Sequence, residues 1–273
     1  MKMHHAATQA EQQLMQLLSQ LLAARHACLA QPQDAQALHA LRVAMRALRS
    51  MLRPWLRSDS PERLGLALAC WQQLIRASNP LREADVQAEL LRSLLPPDHA
   101  GLAPALQWLN AIELARQRQA WLAQLGQPRA EAALWLVRNG ARALLHGQGA
   151  DFEPRLRRQQ ARLAARILAR LQHPRRTLAE ARDWHALRLD CKRLRYLLES
   201  YPQLPDALRL ARLAGATQGA LGQLNDLDGL MARLDAQPGG LGALADHLLP
   251  AREASRSAAL HPLRALRQAL AAR

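Results

Sequence analysis

Apolar residues recur at intervals of three and four residues along almost the whole chain, which is the spacing of one face of an α-helix. No segment shows the sustained two-residue alternation of a half-buried strand, and the interruptions coincide with proline and glycine. The pattern therefore predicts an all-α fold. The predicted helices cover residues 8–30, 34–53, 61–78, 81–95, 102–125, 128–146, 153–172, 177–201, 205–221, 224–236 and 241–270, with Pro250 and Pro262 as candidate break points in the last one.

Two segments of the chain return, in the same order, about half a chain later. LHALRVAMRALRSML (38–52) recurs as WHALRLDCKRLRYLL (184–198), an offset of 146 residues, and seven of the fifteen positions are identical. A weaker echo pairs NPLREADVQAELL (79–91) with GQLNDLDGLMARL (222–234), at an offset of 143 residues. Because repeated segments at a fixed period indicate repeated structure, the sequence predicts a duplicated helical bundle.

The two repeats assign the chain to two halves of similar length. The first half is predicted at about residues 8–146 and the second at about 153–270, with the boundary in the glycine-containing segment HGQGADFEP at 146–154. Halves of this size are expected to pack as one domain, over 8–270, around a pseudo-twofold axis.

Composition adds a charge imbalance to this picture. The 37 Lys and Arg residues outnumber the 22 Asp and Glu residues, which gives a formal charge of +15 and points to a polyanionic partner. Such a partner is a nucleic acid, an acidic membrane surface or a phosphate polymer. Hydrophobic residues make up 49% of the chain but aromatic residues only 3%, so the core is expected to be aliphatic.

The three cysteines, Cys28, Cys70 and Cys191, are odd in number and widely separated, so neither a disulfide framework nor a zinc site is indicated. The N-terminus lacks the apolar region of a signal peptide, and no stretch of about 18 apolar residues could span a bilayer. We therefore expect a soluble cytoplasmic protein with no membrane partner.

Five cations or potential cations share one side of the helix predicted at 34–53. At 100° per residue they fall within an arc of about 80°, beside an apolar arc that contains Leu38, Leu41, Met45, Leu48 and Leu52. This first basic stripe consists of His39, Arg42, Arg46, Arg49 and Arg53.

The later repeat places four residues at the same angles, beside Trp184, Leu187, Cys191, Leu194 and Leu198. Glu199 stands where a fifth cation would be expected, and it either shortens the stripe or orients a neighbouring arginine. This second basic stripe consists of His185, Arg188, Lys192 and Arg195.

The stripes place like charges one helical turn apart, which opposes helix formation by a few tenths of a kcal/mol per pair. No acidic residue interrupts the first stripe. A multiply charged anion would supply the missing negative charge, and a planar guanidinium offers two N–H donors to phosphate oxygens. The alternative is a solvated basic face. Alone, His39 or His185 would be a structural residue near a helix start, but their recurrence in line with the arginines favours anion contact.

A third basic helix is predicted from FEPRLRRQQARLAARILARL (152–171). Its arginines share an arc of about 80°, and its apolar face contains Leu156, Leu163, Ile167 and Leu171. A solvated face is the better interpretation for Arg155 and Arg158, whereas anion binding and solvation are equally supported for Arg162 and Arg166.

The acidic pairs Glu83/Asp85 and Asp226/Asp228 recur in the weaker echo, near predicted helix N-termini, where the helix dipole favours carboxylates. We expect them to cap helices or to hold an arginine in place. The chain contains no G-x-x-x-x-G-K-[ST], no G-x-S-x-G and no H-E-x-x-H motif. No catalytic residue, metal ligand or cofactor is therefore predicted.

The repeated H-x-x-R-x-x-x-[RK]-x-x-R helix, followed by PLREADV in one half and QLNDLDG in the other, resembles the CHAD family, named for its histidine-containing α-helical domain. The resemblance covers almost the entire chain. It implies two four-helix halves and a basic central surface that binds inorganic polyphosphate, and some relatives associate with polyphosphate granules. By position, the two basic stripes carry over as the polyphosphate-binding residues.

The chain departs from the family at the second motif, where relatives often have an Arg-Asp pair. Arg82-Glu83 stands there in the first half and Asn225-Asp226 in the second, so the second half lacks that arginine. The strand pattern of the triphosphate-tunnel enzyme domain that some relatives carry is absent, so the resemblance implies no hydrolysis.

The leading hypothesis is a cytoplasmic, non-catalytic protein that binds polyphosphate through its basic stripes, with granule attachment as an extension. The alternative is a nucleic-acid-binding protein that contacts only the backbone, because the single Phe, the two Tyr and the position of Trp184 in the apolar arc leave few platforms for base stacking. A phosphate-transferring enzyme and an adaptor for an acidic protein are further classes, and neither has a sequence signature here.

Overall fold

The computed structural model describes residues 2–56, 62–147, 152–237 and 241–272, without the side chains of residues 2–9, 146, 147 and 152. These ranges form helices joined by turns and contain no strand, which confirms the all-α prediction. The helices are α1 (Lys2–Ala30), α2 (Ala35–Leu52), α3 (Glu62–Ala77), α4 (Asn79–Leu94), α5 (Leu102–Leu109), α6 (Ile112–Gly126), α7 (Pro128–Gly147), α8 (Phe152–Arg170), α9 (Pro174–Thr177), α10 (Ala181–Ser200), α11 (Ala207–Asp235) and α12 (Gly242–Ala271).

The segment predicted as one helix over 102–125 is two helices, α5 and α6. The chain turns at Ala111, whose backbone has φ −53° and ψ 153°. Leu109 at the end of α5 is buried in one compact unit of the chain, whereas Trp121 of α6 is buried in the other. Tertiary packing therefore imposes this break, which no local proline or glycine marks.

The helices predicted at 205–221 and 224–236 are one continuous helix, α11. Leu221 and Leu224, on either side of Gly222, are both buried, so the apolar stripe runs on through the glycine. That packing outweighs the cost of about 1 kcal/mol for a glycine inside a helix. The helix predicted at 177–201 begins later, at Ala181, after the separate short helix α9.

α12 continues through Pro250 and Pro262, so neither proline breaks it. Each proline removes the N–H that would bind the carbonyl four residues earlier, at Asp246 and Ala258. Both of these residues are exposed, so water can reach the released carbonyls. The carbonyl of Pro262 itself accepts a hydrogen bond from the Thr217 hydroxyl at 3.2 Å, which joins α12 to α11.

The first compact unit comprises residues 1–85 and 110–156. In it α1 packs against α2, α6 and α7, and α3 packs against α7. The buried Trp71 donates its indole N–H to the carbonyl of Ala130 at 3.0 Å. Trp121 donates to the carbonyl of Leu74 at 2.9 Å. These two bonds fix the end of α3, next to the start of α4.

The second compact unit comprises residues 86–109 and 157–273. In it α10 packs against α11, and α11 packs against α12. The second part of α4 and all of α5 share an apolar cluster with the end of α11 and the start of α12. Its buried members are Ala88, Leu91, Leu95, Leu102, Ala105, Leu109, Leu230, Leu234, Leu244, Ala245 and Leu248.

The compact units differ from the predicted halves at two segments, and residues 153–156, which the repeats assign to the second half, belong to the first unit. Residues 86–109, which the repeats assign to the first half, pack in the second unit. Residues 148–151 of the predicted boundary segment lie outside the described ranges. The half boundaries and the pseudo-twofold relation stay predictions.

Candidate polyanion-binding surfaces

The first basic stripe lies along α2, and the start of this helix is fixed by a cap. The carboxylate of Asp34 accepts a hydrogen bond from the backbone N–H of Gln36 at 2.7 Å, which satisfies one of the free donors of the first turn. The predicted apolar arc is buried as expected: Leu38, Leu41, Met45, Leu48 and Leu52. Burial of this arc fixes the rotation of α2 and places the stripe at the edge of the core.

Arg42 is the most constrained member of the first stripe. Its Nη1 donates to the carbonyl of Ile75 at 2.8 Å and to the hydroxyl of Ser78 at 2.7 Å. Its Nη2 donates to Oδ1 of Asn79 at 2.8 Å. The guanidinium thus holds together the end of α3 and the start of α4. Arg42 has a structural role in addition to any contact with a ligand.

Two arginines that the stripe does not include join it from other helices. Burial, together with the charges of Arg46 and Arg82, lowers the pKa of Arg42 to about 10. Partial burial also lowers the pKa of Arg49, with contributions from the charges of Arg76 and Arg53. We call the combined set the first basic surface: His39, Arg42, Arg46, Arg49, Arg53, Arg76 and Arg82.

The sequence contains a signal for only one of these two additions. Arg82 belongs to the PLREADV echo, so its motif was visible, whereas Arg76 stands outside both repeats. Arg76 lies in the last turn of α3 and Arg82 in the first turn of α4. The turn at Ser78 that joins α3 to α4 brings both of them to the stripe, and this turn is what Arg42 holds.

The exposed part of the first basic surface lacks compensating carboxylates. Arg49, Arg53 and Arg76 are exposed, and their side chains make no hydrogen bond or ion pair with any residue that the structure describes. Nη1 of Arg82 is buried and has no hydrogen-bond partner among the described residues. The surface therefore presents several N–H donors, of the kind that phosphate oxygens accept.

The second basic stripe lies along α10, beside the predicted apolar arc of Trp184, Leu187, Cys191, Leu194 and Leu198, all of which are buried. His185 is exposed, and Arg188, Lys192 and Arg195 are half-buried. Glu199 accepts a hydrogen bond from Nε of Arg195 at 2.7 Å, so the carboxylate orients that arginine. Of the two roles predicted for Glu199, the structure shows the orienting one.

Glycines of α11 make room for the arginines of the second stripe. A Cβ atom at Gly222 would lie 3.8 Å from Nε of Arg188, and one at Gly215 would lie 3.4 Å from Cδ of Arg195. Nε of Arg188 is buried without a hydrogen-bond partner in the described part of the chain. Gly222 is the echo counterpart of Asn79, which binds Arg42 in the first unit, so equivalent positions meet in both repeats.

Arg162 and Arg166 lie on α8, on the other side of α10 from the second stripe. Arg166 donates to Oδ1 of the buried Asp190 at 3.2 Å, and Arg193 donates to the same oxygen at 3.0 Å. Asp190 lies about 200° from Arg188 around α10. Arg162 is exposed and makes no hydrogen bond or ion pair with described residues. Their predicted contact with an anion would therefore belong to a different face.

One carboxylate of each acidic pair in the weaker echo holds an arginine. Asp85 accepts a hydrogen bond from the buried Arg118 at 2.9 Å, and Asp228 pairs with Arg252. The expectation that both pairs lie near helix N-termini is wrong for Asp226 and Asp228. They lie well inside α11, because that helix continues through Gly222.

Three further features bear on the chemistry of the described residues. No three of their His, Cys, Asp or Glu side chains come together to hold a metal ion. None of the described helices is both long enough and apolar enough to cross a membrane. The three cysteines are free thiols, and Cys28 and Cys191 are buried.

Comparison with known proteins gives a consistent result. The family model for the CHAD domain matches residues 12–235. The crystal structure of the CHAD domain from the plant Ricinus communis is similar to this chain, with a TM-score of 0.69 and 23% sequence identity, and the match covers 98% of this chain and 92% of the plant chain. No curated protein matches the chain.

Proposed function

Because the chain belongs to the CHAD domain family, we propose that it binds inorganic polyphosphate through the basic surfaces of its two compact units and does not chemically alter the polymer. The proposal places the protein in the cytoplasm, with attachment to polyphosphate granules as its cellular consequence. The family relation shows the fold, and the choice of ligand rests on the chemistry of the surfaces.

The observation that carries the proposal is the first basic surface. Arginines from three helices lie together there. Arg49, Arg53 and Arg76 have no carboxylate partner among the described residues. Gathering like charges costs electrostatic free energy in the unliganded protein. A bound polyanion would recover that free energy. The pKa of Arg49 is lowered first by burial and then by this repulsion, from the charges of Arg76 and Arg53.

A linear polyanion suits the shape of this surface. From His39 to Arg53 the stripe extends over 14 residue steps, or about 21 Å of helix. An unbranched polymer with one charge at each phosphate can contact cations along this whole length. Each guanidinium can bind two phosphate oxygens through its planar fork, so no recognition of a base or sugar is required.

The second basic stripe provides a similar but more enclosed surface. Arg188 and Arg195 lie against the glycines of α11, and Nε of Arg188 is a buried donor without a described partner. A phosphate oxygen would satisfy that donor. The removal of an unsatisfied buried donor is favourable by about 1–3 kcal/mol.

The test compares two triple variants with equal loss of charge. In Arg49→Gln/Arg53→Gln/Arg76→Gln the exposed part of the first basic surface is removed. In the control, Arg63→Gln/Arg129→Gln/Arg138→Gln, three other exposed arginines of the same unit are removed. Calorimetric titration with long-chain polyphosphate at about 0.15 M salt keeps long-range attraction screened beyond about 8 Å.

We expect the surface variant to bind polyphosphate at least about tenfold more weakly, which corresponds to about 1.4 kcal/mol, and the control to stay within about twofold of the wild type. Equal losses in the two variants would mean that net charge alone attracts the polymer. Unchanged binding in the surface variant would contradict the proposal.

A further inference from the structure

The second compact unit contains a cavity of about 670 Å³ that neither basic stripe lines. One wall is the segment between α8 and α9 together with the start of α9, and the other is the last part of α12. The lining residues are Gln172, His173, Pro174, Arg175, Arg264, Arg267, Gln268 and Ala271. Three of them are arginines, one is a histidine, and none is acidic.

The α12 wall of this cavity is one face of the helix. Arg264, Arg267, Gln268 and Ala271 follow the i, i+3, i+4, i+7 spacing that brings side chains together. The facing wall is fixed at Thr177, whose hydroxyl donates to the carbonyls of Arg170 and His173. That bond holds the chain where α8 ends and α9 begins, and so sets the position of His173 and Arg175.

The arginines that line this cavity have no partner among the described residues. Arg175, Arg264 and Arg267 are exposed, and none of their side chains makes a hydrogen bond or ion pair with the residues that the structure describes. The amides of Gln172 and Gln268 add neutral donors on the same walls. Three guanidiniums around one concavity, without a carboxylate among the lining residues, favour a compact ligand with several negative charges.

The cavity is distinct from the second basic stripe. A smaller neighbouring cavity shares Gln172 and His173 with it and reaches α10 at Asp183. Asp183 lies about 140° from Arg188 around α10, and thus faces away from the stripe. Arg264 and Arg267 also lie beyond residues 12–235, the part of the chain that the family model matches.

We propose that this cavity is a binding site for the di- or triphosphate group of a small molecule. Its volume falls in the range of about 300–1,000 Å³ that is typical of small-molecule sites. Adjacent phosphates place many acceptor oxygens in a small space, which matches three guanidinium forks. Inorganic triphosphate and the tail of a nucleoside triphosphate share this chemistry. The proposal does not depend on polyphosphate binding at the stripes.

The decisive experiment titrates the full chain with inorganic triphosphate and, separately, with ATP, both without metal and with sulfate as a reference anion. The cavity variant is Arg264→Gln/Arg267→Gln. Its matched control is Arg209→Gln/Arg212→Gln, a pair of exposed arginines with the same spacing on α11 of the same unit. Circular dichroism verifies that both variants keep their helicity, and Arg175→Gln tests the facing wall with a single change.

We expect the cavity variant to bind triphosphate at least tenfold more weakly and the control to stay within twofold of the wild type. Arg175→Gln should weaken binding at least threefold. Equal affinity for inorganic triphosphate and ATP would show that the cavity recognises the triphosphate group itself. Tighter binding of one of them would show which of the two molecules supplies that group. Triphosphate that binds no tighter than sulfate, or equal losses in cavity variant and control, would overturn the proposal.

A second readout locates the ligand and separates this site from the stripes. The imidazole NMR signal of His173, assigned with His173→Gln, should shift on addition of triphosphate, and an unchanged signal would contradict the proposal. The cavity variant should keep long-chain polyphosphate affinity within about twofold of the wild type. Arg188→Gln/Arg195→Gln should keep its triphosphate affinity within the same limit, so the two sites can fail independently.

Discussion

Arg42 and Arg49 are separated by two helical turns on the same stripe, yet their surroundings give them different roles. Arg42 is half-buried and donates three hydrogen bonds to Ile75, Ser78 and Asn79. Arg49 is exposed, and among the described residues its electrostatic neighbours are Arg76 and Arg53. The sequence pattern treats the two residues as equivalent, whereas the structure assigns stability to one and leaves the other available to a ligand.

This difference predicts that loss of Arg42 destabilises the protein and that loss of Arg49 does not. Arg42→Met should lower the free energy of unfolding by about 1–3 kcal/mol, because the hydrogen bonds between α2 and the α3–α4 turn are lost. Arg49→Met should change it by less than about 0.5 kcal/mol, since it has no described partner. Urea unfolding measures both values. Equal stability of the two variants would contradict the structural role of Arg42.

The histidines at the start of each stripe predict a dependence of binding on pH. Histidine is the side chain that gains positive charge as the pH falls from about 8 to 6. If the protonated form binds the polyanion more tightly, polyphosphate affinity must rise as the pH falls. Titrations of the wild type and of His39→Ala/His185→Ala across this range measure the slope. A flat wild-type profile, or an equal slope in the double variant, would count against their contact with the ligand.

At the scale of the elements, the sequence predicts the helices well because their apolar residues follow a regular period. The apolar arc of α2, from Leu38 to Leu52, is buried as its spacing indicates. The break at Ala111 is not predictable in this way, because it arises where Leu109 and Trp121 join different cores. The position of Arg76 beside the stripe is not predictable from the sequence either, because it depends on the turn between α3 and α4.

Two glycines, one in α11 and one before α5, have different surroundings, which predict different effects of a methyl group. A Cβ atom at Gly219 would contact nothing within 4 Å. Gly219→Ala should therefore raise the free energy of unfolding by about 0.5–1 kcal/mol, because alanine restricts the unfolded chain and favours the helix. A Cβ atom at Gly101, outside the helices, would lie 2.7 Å from the side chain of the buried Leu244.

Gly101→Ala serves as the contrasting change, and it should lower the free energy of unfolding by about 1–3 kcal/mol through overpacking. Thermal or urea unfolding of both variants checks the pair. A destabilising Gly219→Ala would mean that the exposed face of α11 is more crowded than the structure shows.

At the scale of the whole molecule, the cations behind the formal charge of +15 fall into paired and unpaired groups. Part of it is paired internally, as in the arginines that Asp190 holds and in the Asp228–Arg252 pair. Other arginines, at the first basic surface and in the cavity beside α12, have no described partner. The unpaired groups, and not the net charge, are the features that point to a ligand.

The salt dependence of binding separates contact by particular arginines from attraction by net charge, because each phosphate that an arginine neutralises releases its bound counterion. The logarithm of the polyphosphate association constant should fall linearly with the logarithm of salt concentration, with a slope that counts the cations in contact. Arg49→Gln/Arg53→Gln/Arg76→Gln should make that slope shallower by about two to three units. The Arg63→Gln/Arg129→Gln/Arg138→Gln control should keep the wild-type slope. Equal slopes for all three proteins would mean that the first basic surface does not contact the polymer.

The central claim is that the ligand is polyphosphate and not another polyanion. Calorimetric titration of the wild-type protein with long-chain polyphosphate, at about 0.15 M salt and in the presence of duplex DNA or RNA of matched phosphate content, tests it most directly. We predict tight binding of polyphosphate that neither nucleic acid displaces. Equal or preferential binding of nucleic acid would contradict the claim and identify the surfaces as sites for a nucleic-acid backbone.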